Sequence, residues 1–262
     1  MTLDKDTIAK LAARLEAAER NREPLTKITD EYPALDYEDA YAIQDAIRAS
    51  KLAAGVRVTG LKAGLTSQAK MRQMNVTEPV FGFLTDQGAY PDGGEVPFDK
   101  FIAPRIEAEI ALVTHTELKG PGCHLAQVLA ATDFVLPAVE ILDSRYRDFK
   151  FDLVSVVADN TSAAGFVAGG RPRRVDELDL PTLGLVVEKN GQVVETAAAA
   201  AVLGHPATSV AMLANNLARR GQSIPAGTFI MTGGITAAIS IARGDAITVR
   251  IQELGSVSLR FA

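Results

Sequence analysis

The sequence predicts a mixed α/β protein, with a small helical N-terminal part over about residues 1–75 and a β-rich domain with a few helices over 76–262. Three observations carry this. Apolar residues recur at helical spacing in two early segments, alternation of period two takes over after Gly55, and valine-rich arms flank turn residues toward the C-terminus.

In "KDTIAKLAARLEAAER", residues 5–20, Ile8, Leu11 and Leu15 fall on one helical face. "DYEDAYAIQDAIRASKLAAG" repeats the pattern with Ala40, Ile43 and Ile47, with Asp36 placed to cap the helix and Gly55 to stop it. "VRVTGLKAGLT" then alternates as a strand. Helical patterning returns at 123–132 and at 208–220, where Gly221 ends it. "LGLVVEKNGQVVE" reads as a hairpin, because Asn190-Gly191 suits a type I′ turn, and "DAITVRIQELGSVSLRF" reads as a closing pair of strands. The alanine-rich "TAAAAAVLG" is too short to be a linker, and no internal repeat is present.

With 47% hydrophobic residues in 262, the chain has ample material for a core. A net charge of -5 without a basic run argues against nucleic acid, which is bound through clustered Lys and Arg. The single Cys123 cannot form an intramolecular disulfide, "MTLDKDTIAK" lacks an apolar signal core, and no apolar run is long enough to span a membrane. A cytoplasmic protein is expected. His115, His124 and His205 do not cluster with Cys123, which leaves little material for a zinc site or a Ser-His-Asp triad.

The residues with most chemical content lie in apolar strands. In "PRIEAEI", residues 104–110, Ile106, Ala108 and Ile110 point one way and Glu107 and Glu109 the other. Read alone, the pair also suits a half-buried strand with solvated glutamates. "VLPAVEIL" places Glu140 inside an apolar run, where a carboxylate needs a cation, a hydrogen-bond network or a proton. If the two strands are neighbours, three carboxylates converge in a manner that suits a hard divalent ion. The competing explanation is a buried salt bridge from Glu140 to Arg145 or Arg105. Lys62 shares a strand face with Val58, Gly60 and Gly64, and either snorkels to solvent or stands over a pocket for an anionic substrate or proton transfer. "ADNTSA" and "MTGGITAA" add loop glycines, Gly233 among them, and hydroxyls of the kind that bind carboxylates.

Taken together, "GLKAGLTS", "PRIEAEI", "LPAVEILDSR", "VADNTS", "LGHP", "IPAGTFIMTGG" and "LGSVSLRF" resemble the hydratase/decarboxylase branch of the fumarylacetoacetate hydrolase superfamily, from about residue 30 to the C-terminus. The resemblance implies a mixed β-roll catalytic domain that holds Mg²⁺, with Mn²⁺ as the other candidate, on Glu107, Glu109 and Glu140. Lys62 matches the family's active-site lysine, and Ser162, Thr236 and Gly233 lie in segments that line the substrate pocket. The branch's hydratases carry an aspartate just before the Phe-Gly pair of "EPVFGF", where this chain has Val80. An apolar side chain there excludes the water that a hydratase must orient. The implied activity is therefore decarboxylation of 4-oxalocrotonate (2-oxohex-3-enedioate) to 2-hydroxypenta-2,4-dienoate in catechol meta-cleavage, with hydration of that dienoate as the alternative. The superfamily's hydrolases use a histidine near the helical part, and none here precedes residue 115. A non-catalytic subunit would be expected to have lost a ligand carboxylate, and all three are present. The resemblance further implies a homo-oligomer in complex with the 2-hydroxypentadienoate hydratase.

Overall fold

The protein, represented by a computed structural model, is described at residues 2–67, 71 and 78–262; the expected break between residues 75 and 76 lies outside them. Helices α1 (Lys5–Asn21) and α2 (Tyr37–Ala53) lead into β1 (Val58–Gly64). The chain continues through β2 (Val80–Thr85), β3 (Ala89–Tyr90), β4 (Gly94–Val96) and β5 (Arg105–Thr114) to α3 (Leu125–Ala131). Next come β6 (Thr132–Leu142), α4 (Leu153–Ala158), β7 (Ala163–Ala168), β8 (Gly184–Lys189) and β9 (Gln192–Ala198). Helix α5 (Pro206–Arg219) precedes β10 (Phe229–Met231), β11 (Ile239–Ser240), β12 (Ala246–Ile251) and β13 (Gly255–Phe261).

The two N-terminal helices start where the sequence places their caps. The Asp4 carboxylate accepts from the Thr7 N–H, and Asp36 and Asp39 form a reciprocal capping box. Their apolar faces, Ile8, Leu11 and Leu15 with Ile43 and Ile47, pack in one core with Val80, Phe83, Tyr146 and Val157, so the helices rest on the β-rich part. The 183–195 hairpin turns at Asn190 and Gly191, both left-handed with φ 54° and 77°, as a type I′ turn requires.

The strands form two sheets. The larger, eight-stranded sheet runs β2-β1-β10-β5-β6-β7-β3, with β11 added on β5; the smaller runs β4-β13-β12-β8-β9. Strand β1 of the helical part is thus built into the large sheet, parallel to β10 and antiparallel to β2. Ile106, Ala108, Ile110, Val139 and Ile141 on one face of β5 and β6 pack against Leu185, Val187, Val249, Val257 and Phe261 of the small sheet. That leaves the opposite face of β5 and β6 to carry the polar groups. The large sheet rolls until β2 and β7 touch, and Asn160 bridges them through Phe83.

One expectation changes in the structure. The register shifts between Val58 and Gly60, so a bulge interrupts the alternation that was to put Val58 on the face of Lys62. Ala207, Ala211 and Ala214 are buried with Leu213 and Leu217 in the protomer's own core.

Candidate metal and substrate site

Strands β5 and β6 pair so that Glu107 stands directly opposite Glu140 and Glu109 opposite Ala138. Opposed residues in an antiparallel pair share a face, so all three carboxylates project from the side that faces away from the small sheet. One oxygen from each of Glu107, Glu109 and Glu140 lies within 4.8 Å of the others, and all three residues are buried. Burial, then the charges of Glu140 and Glu107, hold the Glu109 carboxyl well above the usual carboxylate range. Burial raises Glu140 as well, against the opposing pull of Lys62. Glu109 Oε2 accepts a 2.6 Å hydrogen bond from the Gly233 N–H, while Glu109 Oε1 and Glu140 Oε2 accept none among the described residues. Buried carboxylates without donors cost several kcal/mol each unless a cation compensates them. Three buried carboxylates facing the ammonium described below leave a net negative charge that fits a divalent ion with oxygen ligands.

That ammonium belongs to Lys62. Its Nζ lies 2.9 Å from Glu140 Oε1, and it donates to the Thr161 carbonyl at 3.2 Å. The side chain is 2% exposed, which excludes snorkelling to solvent. Neither arginine once considered as the partner of Glu140 takes that role. Arg145 pairs with Asp159, and Arg105 stacks over the Phe149 ring, 3.8 Å from its centroid.

The register across β2-β1-β10-β5 lines up the rest. Lys62 sits opposite Gly82 on one side and Met231 on the other, Met231 opposite Ala111, and Gly64 opposite Val80. A Cβ at Gly64 would lie 3.3 Å from Val80 Cγ2 and 3.5 Å from Lys62 Nζ, so the buried Val80 flanks the lysine across an open position. The hydroxyls of Ser162 and Thr236 are buried and, like that of Thr161, find no hydrogen-bond partner among the described residues; no hydrogen bond ties them to Lys62 or the glutamates. Gly233 is left-handed, φ 108°, with Thr66 packed against its Cα.

Sequence reasoning passed over two groups. A Cβ at Gly234 would stand 2.2 Å from Glu107 Oε2, so this glycine makes room for the carboxylate; "MTGGITAA" had flagged the loop without separating its two glycines. Thr161 was visible only as a hydroxyl in "ADNTSA", while the structure uses its carbonyl to hold Lys62.

Residues 53–262 match the family described as Fumarylacetoacetate (FAA) hydrolase C-terminal. The chain belongs to the fumarylacetoacetate hydrolase family. Within it, the chain is similar to the 4-oxalocrotonate decarboxylase of Pseudomonas sp. strain CF600, 60% identical over 260 residues that cover 99% of this chain and 98% of that one. A solved structure of the 4-oxalocrotonate decarboxylase from Pseudomonas putida G7, complexed with magnesium and adipate, superimposes with a TM-score of 0.98 at 57% identity, covering 100% of this chain and 99% of that one. The 2-oxo-hept-4-ene-1,7-dioate hydratase of Escherichia coli is 40% identical over 264 residues, 98% of this chain and 99% of that one. The fumarylacetoacetate hydrolase fold thus carries both decarboxylation and hydration at this level of similarity, and the side chains around the carboxylates must separate them.

Proposed function

We propose that the chain is a metal-dependent carboxy-lyase that converts 4-oxalocrotonate to 2-hydroxypenta-2,4-dienoate and CO₂ in the meta-cleavage of catechols. The observation that carries this reading is the buried cluster of Glu107, Glu109 and Glu140 with Lys62 beside it and the apolar Val80 at its edge. Two decarboxylases, at 60% and 57% identity over nearly the whole chain, support it.

The substrate is a 2-oxo acid whose distal carboxylate sits on a CH₂ group that is joined to the ketone through one double bond. When the bond to that carboxylate breaks, CO₂ leaves and its electron pair runs through the chain to the 2-oxo oxygen. Protonation of that oxygen completes the dienol. Glu107, Glu109 and Glu140 would hold Mg²⁺, or Mn²⁺, which supplies Lewis-acid stabilisation of the negative charge gathering on the 2-oxo oxygen. Lys62 brings a positive side chain to this face, held by the Thr161 carbonyl. For the step to accelerate, Lys62 must favour the developing oxyanion over the departing carboxylate, because a tight grip on the latter stabilises the ground state. Val80 offers neither donor nor acceptor to orient a water, so the dienol leaves unhydrated. Ser162, Thr236 and the Gly233 loop would meet the substrate's carboxylates, supported by their unpartnered buried hydroxyls.

The family's fold also hosts the hydration named for a 40%-identical relative, and Val80 is the residue that counts against that activity here. A homo-oligomer, a complex with the hydratase that consumes the dienol, and a cytoplasmic location complete the reading. They rest on family resemblance, on the lone buried Cys123, and on the lack, among the described residues, of a helix able to cross a membrane. The test is incubation of the purified protein with 4-oxalocrotonate and Mg²⁺, following substrate absorbance and CO₂. Substrate that persists with no CO₂ released refutes the proposal. Sedimentation as a monomer, unshifted by added hydratase, refutes the assembly.

A further inference from the structure

Residues 160–162 place three consecutive non-glycine residues in the left-handed region: Asn160 at φ 45°, Thr161 at 53° and Ser162 at 59°. Such a run persists only where its surroundings impose it. Behind the turn lies a buried ion pair. The Arg145 backbone N–H donates to Asp159 Oδ2 at 3.1 Å, and the Arg145 Nε donates to Asp159 Oδ1. Arg145 Nη1 donates to the carbonyls of Asp143 at 2.7 Å and Ala163 at 3.1 Å, and Nη2 donates to the Asp159 carbonyl. One guanidinium therefore ties the residue before the turn to the residue after it, which needs the fixed fork of donors that lysine lacks. On the far side, the Asn160 amide exchanges two 2.9 Å hydrogen bonds with the Phe83 backbone, in the manner of a neighbouring strand. Gly82 leaves the space for this approach, since a Cβ there would meet Thr161 Oγ1 at 2.6 Å. The front of the turn presents the Thr161 carbonyl to Lys62 Nζ.

We infer that Arg145 and Asp159 are positioning residues: they lock the 160–162 turn so that the Thr161 carbonyl fixes the Lys62 ammonium over the carboxylate face. This rests on the reading of Lys62 given above. None of the Arg145 hydrogen bonds described here reaches Lys62 or a glutamate of the cluster, so its influence passes through the turn.

The test compares Arg145→Lys, Asp159→Asn and Asn160→Ala with the wild type. It measures kcat and KM on 4-oxalocrotonate at saturating Mg²⁺, Mg²⁺ affinity by calorimetry, adipate affinity of the Mg²⁺-loaded protein, and Tm to establish folding. We expect kcat to fall roughly tenfold to a hundredfold, as for a misplaced catalytic group, and adipate to bind more weakly, while Mg²⁺ affinity is retained because the carboxylates are untouched. Folded variants with a lower Tm but unchanged kcat and adipate affinity would overturn the inference, and so would a loss of kcat that merely follows a loss of Mg²⁺. If the two ion-pair variants do not fold, Asn160→Ala, which leaves the Arg145 contacts in place, decides on the same readouts. A wild type that releases no CO₂ overturns the proposed reaction alone, and the adipate comparison then decides the positioning role. A wild type that also fails to bind adipate overturns both.

Discussion

Replacing Val80 by aspartate puts the residue type that the family resemblance implies for hydratases into this site and tests why the valine is there. Val80 Cγ2 and Lys62 Nζ flank the open position at Gly64, 3.3 and 3.5 Å from where its Cβ would stand. A carboxylate at residue 80 would thus lie about 6 Å from the ammonium, and Coulomb's law at an effective dielectric constant of about 20 gives about 3 kcal/mol for unit charges at that distance. The new charge draws Lys62 toward itself and repels the dianionic substrate, and both effects oppose turnover. Each 1.4 kcal/mol is about tenfold in rate, so kcat/KM for decarboxylation should fall by about a hundredfold. Val80→Asn has nearly the same shape without the charge and should lose much less. The assay is loss of 4-oxalocrotonate absorbance at saturating Mg²⁺, on variants whose melting shows them folded. Wild-type kcat/KM in Val80→Asp would refute the electrostatic argument. So would a loss in Val80→Asn as large as in Val80→Asp, which would trace the effect to packing.

Glu109→Gln and Glu140→Gln should each bind Mg²⁺ far more weakly and nearly abolish turnover; a variant fully active in EDTA-treated buffer contradicts the three-carboxylate site. Gly234→Ala should push Glu107 aside, because its Cβ would stand 2.2 Å from Glu107 Oε2, and calorimetry should show weakened Mg²⁺ binding. The pH dependence follows from the raised carboxyls of Glu109 and Glu140. A carboxyl raised in the folded state contributes its stability fully below the unfolded value of about 4.3 and loses it as pH climbs through the folded value. The Tm of metal-free wild type should therefore fall, relative to Glu109→Gln, as pH rises from acid to neutral. A gap between the two that widens in favour of the wild type would contradict this.

What the sequence showed of the site was whatever depends on one strand at a time. Alternation put Glu107 and Glu109 on a common face, and an apolar run marked Glu140 as buried, because both signals follow from the period of a single β-strand. That Glu140 faces Glu107 depends on the pairing register, which no local pattern encodes. The same holds for β1 lying parallel to β10 in the large sheet, with Lys62 opposite Met231 from the far end of the chain. The Arg145–Asp159 pair was hidden for a further reason: each residue sits in a polar segment that reads as an ordinary turn, and only burial gives it weight.

The product formed by EDTA-stripped protein tests the central claim most directly, with 4-oxalocrotonate and 2-hydroxypenta-2,4-dienoate supplied in separate reactions with and without Mg²⁺. The account predicts that CO₂ and the dienoate appear together from 4-oxalocrotonate only when Mg²⁺ is present, and that supplied dienoate is left unchanged. Conversion of the dienoate to 4-hydroxy-2-oxopentanoate, with no CO₂ from 4-oxalocrotonate, would contradict it.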